Sequence, residues 1–175
     1  YSHIATLRHD DENEKEKEGH QSFVTELTVH GGKLYSGGHD TTINVWDCST
    51  NQLIKTLRGH ESCITCQIAT TDGMLYSGSY GGGIKIWNCS TNELLNTLTD
   101  HTKHVSGLIV SDGKLYSASA DSTIRIYDCS DDSLVTTLRG HTRDVLSIIV
   151  NDGKLYSASA DRTIKIWDCA DYSLI

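Results

Sequence analysis

Asp152-Gly153-Lys154-Leu155-Tyr156-Ser157-Ala158-Ser159-Ala160-Asp161 runs on to Ile164-Lys165-Ile166-Trp167-Asp168. The stretch reads as a short strand, a tight turn and a second strand. Its first ten residues recur unchanged at 112–121, and looser versions stand at 32–47 and 72–88. The chain is this unit written four times.

Working outward from it gives the period. His20, His60, His101 and His141 are 40, 41 and 40 residues apart. Trp46, Trp87, Tyr127 and Trp167 are 41, 40 and 40 apart. A period of that length marks a solenoid, a propeller or an array. The units are 19–58, 59–99, 100–139 and 140–175, the last cut short in its final segment. Each holds four β-type segments, which in the first unit are 24–29, 33–36, 42–46 and 52–57. Gly31-Gly32, His39-Asp40 and Ser49-Thr50-Asn51 punctuate them as turns. His30 reads as a turn residue. No segment carries a helical period over helical length. The middle strands look buried on both faces. A small sheet of that kind needs neighbours on both sides, and radial stacking of four-stranded sheets supplies them.

Two stretches precede the regular units. Residues 1–8 contain His3-Ile4-Ala5-Thr6-Leu7-Arg8, which matches 53–58 and 134–139 and reads as an outer strand. Residues 9–18 are His-Asp-Asp-Glu-Asn-Glu-Lys-Glu-Lys-Glu, an acidic loop read as a tolerated surface insertion.

Composition narrows the functions. The 175 residues carry a formal net charge of −8, which argues against nucleic-acid and anionic membrane partners. No apolar run approaches the ~18 residues of a membrane span. The chain opens on Tyr1 without signal-peptide features and reads as a cut segment of a larger soluble protein. Four of the six cysteines (Cys48, Cys89, Cys129 and Cys169) recur once per unit, while Cys63 and Cys66 belong to the second alone. Such spacing reads as repeat inheritance, reduced thiols and an intracellular location, cytoplasmic by preference.

Gly-His, then about 26 residues, then Trp-Asp, four times in register, resembles the WD-repeat (WD40) β-propeller family. The resemblance implies an all-β fold: a WD40 propeller segment of about four blades, each a four-stranded antiparallel sheet, in an incomplete ring. Leu-Tyr-Ser-Gly and Ile-Lys-Ile-Trp also look like propellers appended to ubiquitin ligases and to myosin-heavy-chain-kinase-like proteins. The family pattern implies a hydrogen-bonded chain of His, Ser, Asp and Trp within each blade. Its members are His20, Ser36, Asp40 and Trp46; His60, Ser77 and Trp87; His101, Ser117 and Asp121; and His141, Ser157, Asp161 and Trp167. In the third unit Ser119 competes with Ser117 for the serine role.

Two units depart from the pattern. Gly81 stands where the second should have Asp, so His60 loses a carboxylate partner. In the third, Tyr127 replaces Trp and Asp100 replaces the Gly before His101. A phenol cannot reproduce the indole N–H geometry, so these two blades are expected to be the less rigid pair.

Other chemistry is set aside. His, Ser and Asp in every unit suggest a hydrolase, but a catalytic constellation normally occurs once, with an oxyanion hole. Cys63-Ile64-Thr65-Cys66 lies in a predicted strand with no second ligand pair at zinc spacing. Gly81-Gly82-Gly83 lacks the Gly-Lys-Ser/Thr of a phosphate loop. No cofactor or metal is called for.

The resemblance implies partner binding where the loops into the inner strands meet the turns before the third strands. One set of positions flanks the start of each inner strand: Phe23 and Thr25, Cys63 and Thr65, His104 and Ser106, Asp144 and Leu146. The other precedes the turn Asp: His39, Tyr80, Ala120 and Ala160. The expected function is a non-catalytic scaffold for a protein or peptide. The alternative is the substrate-recruiting part of a ligase or kinase whose catalytic domain lies elsewhere. Ring closure has two readings: residues 4–7 belong to a further blade, or they complete the last one. The first is favoured, and it leaves open blade faces expected to self-associate.

Overall fold

The computed structural model describes residues 19–175. The expected outer strand at 1–8 and the acidic loop at 9–18 lie outside the described residues. Each unit folds as an antiparallel meander with its strands in chain order. The first blade is β1 (Val24–His30), β2 (Lys33–Gly38), β3 (Ile43–Asp47) and β4 (Leu53–Leu57). The second is β5 (Ile64–Ala69), β6 (Met74–Ser79), β7 (Ile84–Asn88) and β8 (Leu94–Leu98). The third is β9 (Val105–Ser111), β10 (Lys114–Ser119), β11 (Thr123–Asp128) and β12 (Leu134–Arg139). The fourth has β13 (Val145–Asn151), β14 (Lys154–Ser159) and β15 (Ile164–Asp168), and among the described residues only a bridge from Trp167 to Leu174 marks its outer strand. No helix occurs among the described residues.

Turn chemistry fixes the hairpins. Asp152 and Gly153 join β13 to β14 with φ of 48° and 70°, and Gly31 and Gly32 do the same between β1 and β2. Two successive left-handed residues give a turn whose twist matches that of the flanking strands, which is why Asp-Gly and Gly-Gly occupy it. Each inner strand then carries one bulge at its start. Val24 pairs with Gly38 and Glu26 with Gly37, so Thr25 is the extra residue. Thr65, Ser106 and Leu146 hold the same place in β5, β9 and β13. A bulge re-aims its side chain, here out of the sheet and toward the next blade.

The core lies between sheets. Tyr35, Ile43, Val45 and Leu57 of the first blade meet Ile64, Leu75, Trp87 and Cys89 of the second. The seam repeats with Tyr76, Ile84, Ile86 and Leu98 against Val105, Leu115 and Tyr127. It repeats again with Tyr116, Ile124, Ile126 and Leu138 against Val145, Ile148, Leu155 and Trp167. Each buried branched side chain contributes roughly 1.5–3 kcal/mol, so the three seams are what hold the sheets together. Inner strands pack in sequence, β1 on β5, β5 on β9 and β9 on β13, and the four sheets form an open arc. At its ends the seam residues are bare: Ile164 is 73% exposed, whereas Ile43, Ile84 and Ile124 are fully buried.

Candidate interaction face

A polar column runs through each blade. In the fourth, Trp167 Nε1–H donates to Ser157 Oγ (2.9 Å), and Ser157 Oγ lies 2.8 Å from His141 Nε2. His141 Nδ1 meets Asp161 Oδ2 at 2.7 Å. An ionised carboxylate only accepts, so Nδ1 carries the proton, Nε2 accepts from the serine, and the serine accepts from the indole. Asp161 also takes Thr142 N–H, Thr163 N–H and the Thr163 hydroxyl. The first blade repeats the column through Trp46, Ser36, His20 and Asp40, with Gln21 N–H and Thr42 on the carboxylate. The serines are buried and already engaged, so none is presented as a nucleophile.

In the third blade the column member is Ser117, 2.8 Å from His101 Nε2. Ser119 instead donates to Lys103 O and accepts from Asp121 N–H. His101 Nδ1 meets Asp121 at 2.8 Å. Burial pushes the Asp121 carboxyl up, but the hydrogen bonds from Thr123, His101 and Thr102 outweigh it and hold it at about 2.

In the third blade the two departures from the repeat meet. Tyr127 does not reach Ser117, as expected of a phenol, yet it is not left unpartnered. Its hydroxyl donates to Asp100 Oδ2 at 3.1 Å. The geometry explains the pairing. In the fourth blade a Cβ on Gly140 would sit 3.1 Å from Trp167 Cη2, so the indole edge crowds that position. A phenol vacates that space, and the Asp100 side chain fills it and accepts the hydroxyl.

The second blade keeps only part of its column. Trp87 Nε1–H donates to Ser77 Oγ (2.8 Å), and Ser77 Oγ lies 2.7 Å from His60 Nε2. Among the described residues no side chain bonds His60 Nδ1, since Gly81 stands in the Asp position. Burial, with the Lys85 charge added, pulls the His60 imidazole down to about 4.

The two predicted sets of contact positions converge on one rim. In each blade a backbone bond joins them: His39 N–H to Phe23 O, Tyr80 N–H to Cys63 O, Ala120 N–H to His104 O and Ala160 N–H to Asp144 O. Phe23 is 76% exposed and packs edge-on to His39, ring centroids 5.7 Å apart. Tyr80 is 65% exposed and stacks on His104 at 5.5 Å with the rings 7° from parallel. Cys63 Sγ reaches His39 O at 3.4 Å, so Phe23, His39, Cys63, Tyr80 and His104 form a continuous row across two seams. Cys66, the other half of the C-x-x-C, is buried, and burial pushes its thiol up to about 12.

Three of the predicted contact positions do something else. Thr25, Thr65 and Ser106 are the bulge residues, and each donates its hydroxyl to a carbonyl of the next blade, at Ile64, Val105 and Val145 respectively. They tether blades rather than offer a free side chain. Leu146 occupies the same place at the open end and is exposed. Asp144 and Ala160 lie on the fourth-blade side of the rim, and Ala120 is buried.

Sequence reading missed Thr42, Thr123 and Thr163, whose amides and hydroxyls grip the column carboxylates. The signal was present: Thr follows the turn Asp by two residues in three units, and Gly83 stands there in the second. It also missed the Asp of each Trp-Asp or Tyr-Asp pair, which caps the next turn, Asp47 accepting from the Ser49 and Thr50 amides.

Comparison with known proteins agrees with this geometry. The family model described as "WD domain, G-beta repeat" matches residues 12–47, 51–88, 92–128 and 132–168. The computationally designed Ika4 protein superimposes with a TM-score of 0.80 at 33% identity, covering 86% of this chain and 94% of that one. U3-55K superimposes with a TM-score of 0.82 at 27% identity, over 90% of this chain and 52% of its own. Zinc finger CCCH domain-containing protein 17 of Oryza sativa subsp. japonica is 50% identical over 42 residues, 24% of this chain and 10% of that protein. The chain thus spans about half of U3-55K and a tenth of the rice protein.

Proposed function

We propose, for a chain that belongs to the WD-repeat (WD40) family, that it is an interaction scaffold which binds a protein or peptide on the aromatic rim. WD40 repeats generally mediate protein–protein interaction and are typically non-catalytic. The observation that carries the reading is the row Phe23, His39, Cys63, Tyr80 and His104, with two exposed aromatics held by histidine neighbours. The first blade's polar column anchors the turn beside Phe23, and the stack on His104 holds Tyr80, so both aromatics are presented with little freedom left to lose on binding. Aromatics at such positions are the residues that dominate interface energies. Six unpaired cysteines accord with a reducing, intracellular setting.

Affinity capture with the chain and with Phe23→Ala/Tyr80→Ala tests the reading. The double variant should keep the thermal transition and lose bound partners, with affinity reduced at least tenfold for any partner isolated. Partners retained by the double variant would place binding elsewhere.

A second reading concerns the ends of the arc. Val24 is 51% exposed, whereas its counterparts Ile64, Val105 and Val145 are fully buried in seams. Ile164 is its complement at the other end. The two surfaces are the halves of the seam that the molecule already makes three times, so a second copy fits them head to tail. Light scattering should show a mass above that of one chain, and Ile164→Asp should return it to the monomer. A monomer at high concentration in the unaltered chain refutes this.

A further inference from the structure

The second blade lines an opening at the place of its missing Asp. Gly59, His60, Ser62, Gly81, Gly83 and Lys85 are among the residues lining a cavity of about 190 Å³. It lies where the first, third and fourth blades hold a carboxylate and a threonine hydroxyl. Its size admits several waters or a small organic anion.

The donors that serve that carboxylate elsewhere are still in place. The imidazole, the amide after it and the amide two residues past the Asp bond the carboxylate in the fourth blade, as His141 Nδ1, Thr142 N and Thr163 N. The second-blade equivalents are His60 Nδ1, Glu61 N and Gly83 N, and they have no carboxylate. His60 is only 7% exposed, and its Nδ1, which has no side-chain acceptor among the described residues, is reached by solvent through the cavity that His60 lines. Water can satisfy that donor, and a carboxylate that displaces the water replaces neutral acceptors with a charged one, which makes the stronger hydrogen bonds. Three ionisable groups besides His60 face the space. Lys85 Nζ, held 2.9 Å from Thr97 Oγ1, brings positive charge. His101 has both nitrogens committed to Asp121 and Ser117. Glu61 is exposed to solvent and makes no hydrogen bond from its carboxylate among the described residues.

We infer that this cavity is a binding site for a carboxylate group, received by His60 Nδ1–H and the Glu61 and Gly83 amides with Lys85 as counter-charge. One lysine and neutral donors suit a single negative charge better than a phosphate. The carboxylate comes either from a free small acid or from an Asp or Glu of a peptide lying on the rim. The second source rests on the scaffold reading above. The site adjoins that rim, since Gly81 follows Tyr80 directly.

Imidazole nitrogen NMR tests this without a known partner. Acetate, titrated at constant ionic strength with chloride as control, should shift the His60 resonances saturably and fix the Nδ1–H tautomer. Gly81→Asp should hold that tautomer without acetate and abolish the acetate shift. Gly81 has an ordinary φ, and a Cβ there would meet nothing nearer than Ser62 Cβ at 3.4 Å, so the variant can fold. Gly83→Thr, which fills the other half of the cavity, is the second variant and should also weaken the acetate shift. Acetate acting no differently from chloride, or acting equally on Gly81→Asp, overturns the proposal. So does Glu61→Gln releasing a tautomer already fixed in the unliganded protein, which would make Glu61 the occupant. If acetate binds, a capped Gly-Asp-Gly peptide set against its Asn counterpart identifies the source. Tighter binding of the Asp peptide than of acetate assigns it to a partner side chain, and equal or weaker binding to a free acid. Partner loss in Phe23→Ala/Tyr80→Ala is independent of either result, so the two readings fail separately.

Discussion

The second and third blades both break the repeat, and only the third repairs it. Tyr127 for Trp would leave space against the strand before it, and Asp100 for Gly fills that space and accepts the phenol. The column below keeps its carboxylate, because His101 still meets Asp121. Gly81 for Asp has no such answer: the acceptor goes, Gly83 removes the threonine as well, and a cavity opens beside a buried imidazole. A buried polar position can change if its partner changes with it. When it does not, the fold survives on its apolar seams and the site becomes available for something else.

Making the third blade resemble the second should have the largest effect. Asp121→Gly removes the acceptor of His101 Nδ1, Thr102 N–H, Thr123 N–H and the Thr123 hydroxyl. Hydrogen bonds to a charged group contribute about 1.5–3 kcal/mol each and are not additive when they share an acceptor, so a loss of ~3 kcal/mol is expected. Urea denaturation midpoints measure it. A loss below ~1 kcal/mol would mean that the second blade gives up nothing by lacking its Asp.

Acid separates the same two blades. An unfolded histidine protonates near pH 6.5, whereas burial and Lys85 hold His60 at about 4. Between those values the unfolded chain binds more protons, so stability is complete above pH 6.5 and falls as pH drops toward 4. The shift corresponds to roughly 2–3 kcal/mol after allowance for partial solvent access. The third blade's carboxylate acts lower. Asp121 titrates at about 2 in the fold, so its contribution is present above ~3.9, the ordinary Asp value, and is lost below it. Burial lowers His101 as well, but its hydrogen bond and charge contact with Asp121 oppose the fall, so hydrogen exchange should show the second blade loosening at a higher pH than the third. Gly81→Asp should move the second blade's loosening to lower pH, and simultaneous loosening of both blades would contradict the assignment.

Most of this architecture was legible, because a 40-residue period survives in four copies and turns such as Asp152-Gly153 dictate their own conformation. The column residues were legible through resemblance, and the missing Asp at Gly81 through the mismatch between copies. What was not legible depends on neighbours across a seam. Thr25, Thr65 and Ser106 look like surface residues in a strand, and only the bulge turns their hydroxyls onto the adjoining blade. The bond between Tyr127 and Asp100 joins two departures that read separately as two defects, because nothing local says that an indole edge and a glycine compete for one volume.

That competition gives the smallest predicted effect and the sharpest test of repair. Tyr127→Phe leaves Asp100 without its donor, but Asp100 is exposed and water can replace it, so the expected loss is about 1 kcal/mol. Tyr127→Trp alone should be worse, since the indole edge would press on the Asp100 side chain as it does on the space kept clear by Gly140. Adding Asp100→Gly should recover that loss and restore an indole bond to Ser117, as Trp87 makes to Ser77 and Trp167 to Ser157. The double-mutant cycle should show a coupling of at least ~1 kcal/mol in denaturation. Additive single effects would mean that the two substitutions are neighbours by accident and that the third blade, like the second, tolerates its departure without repairing it.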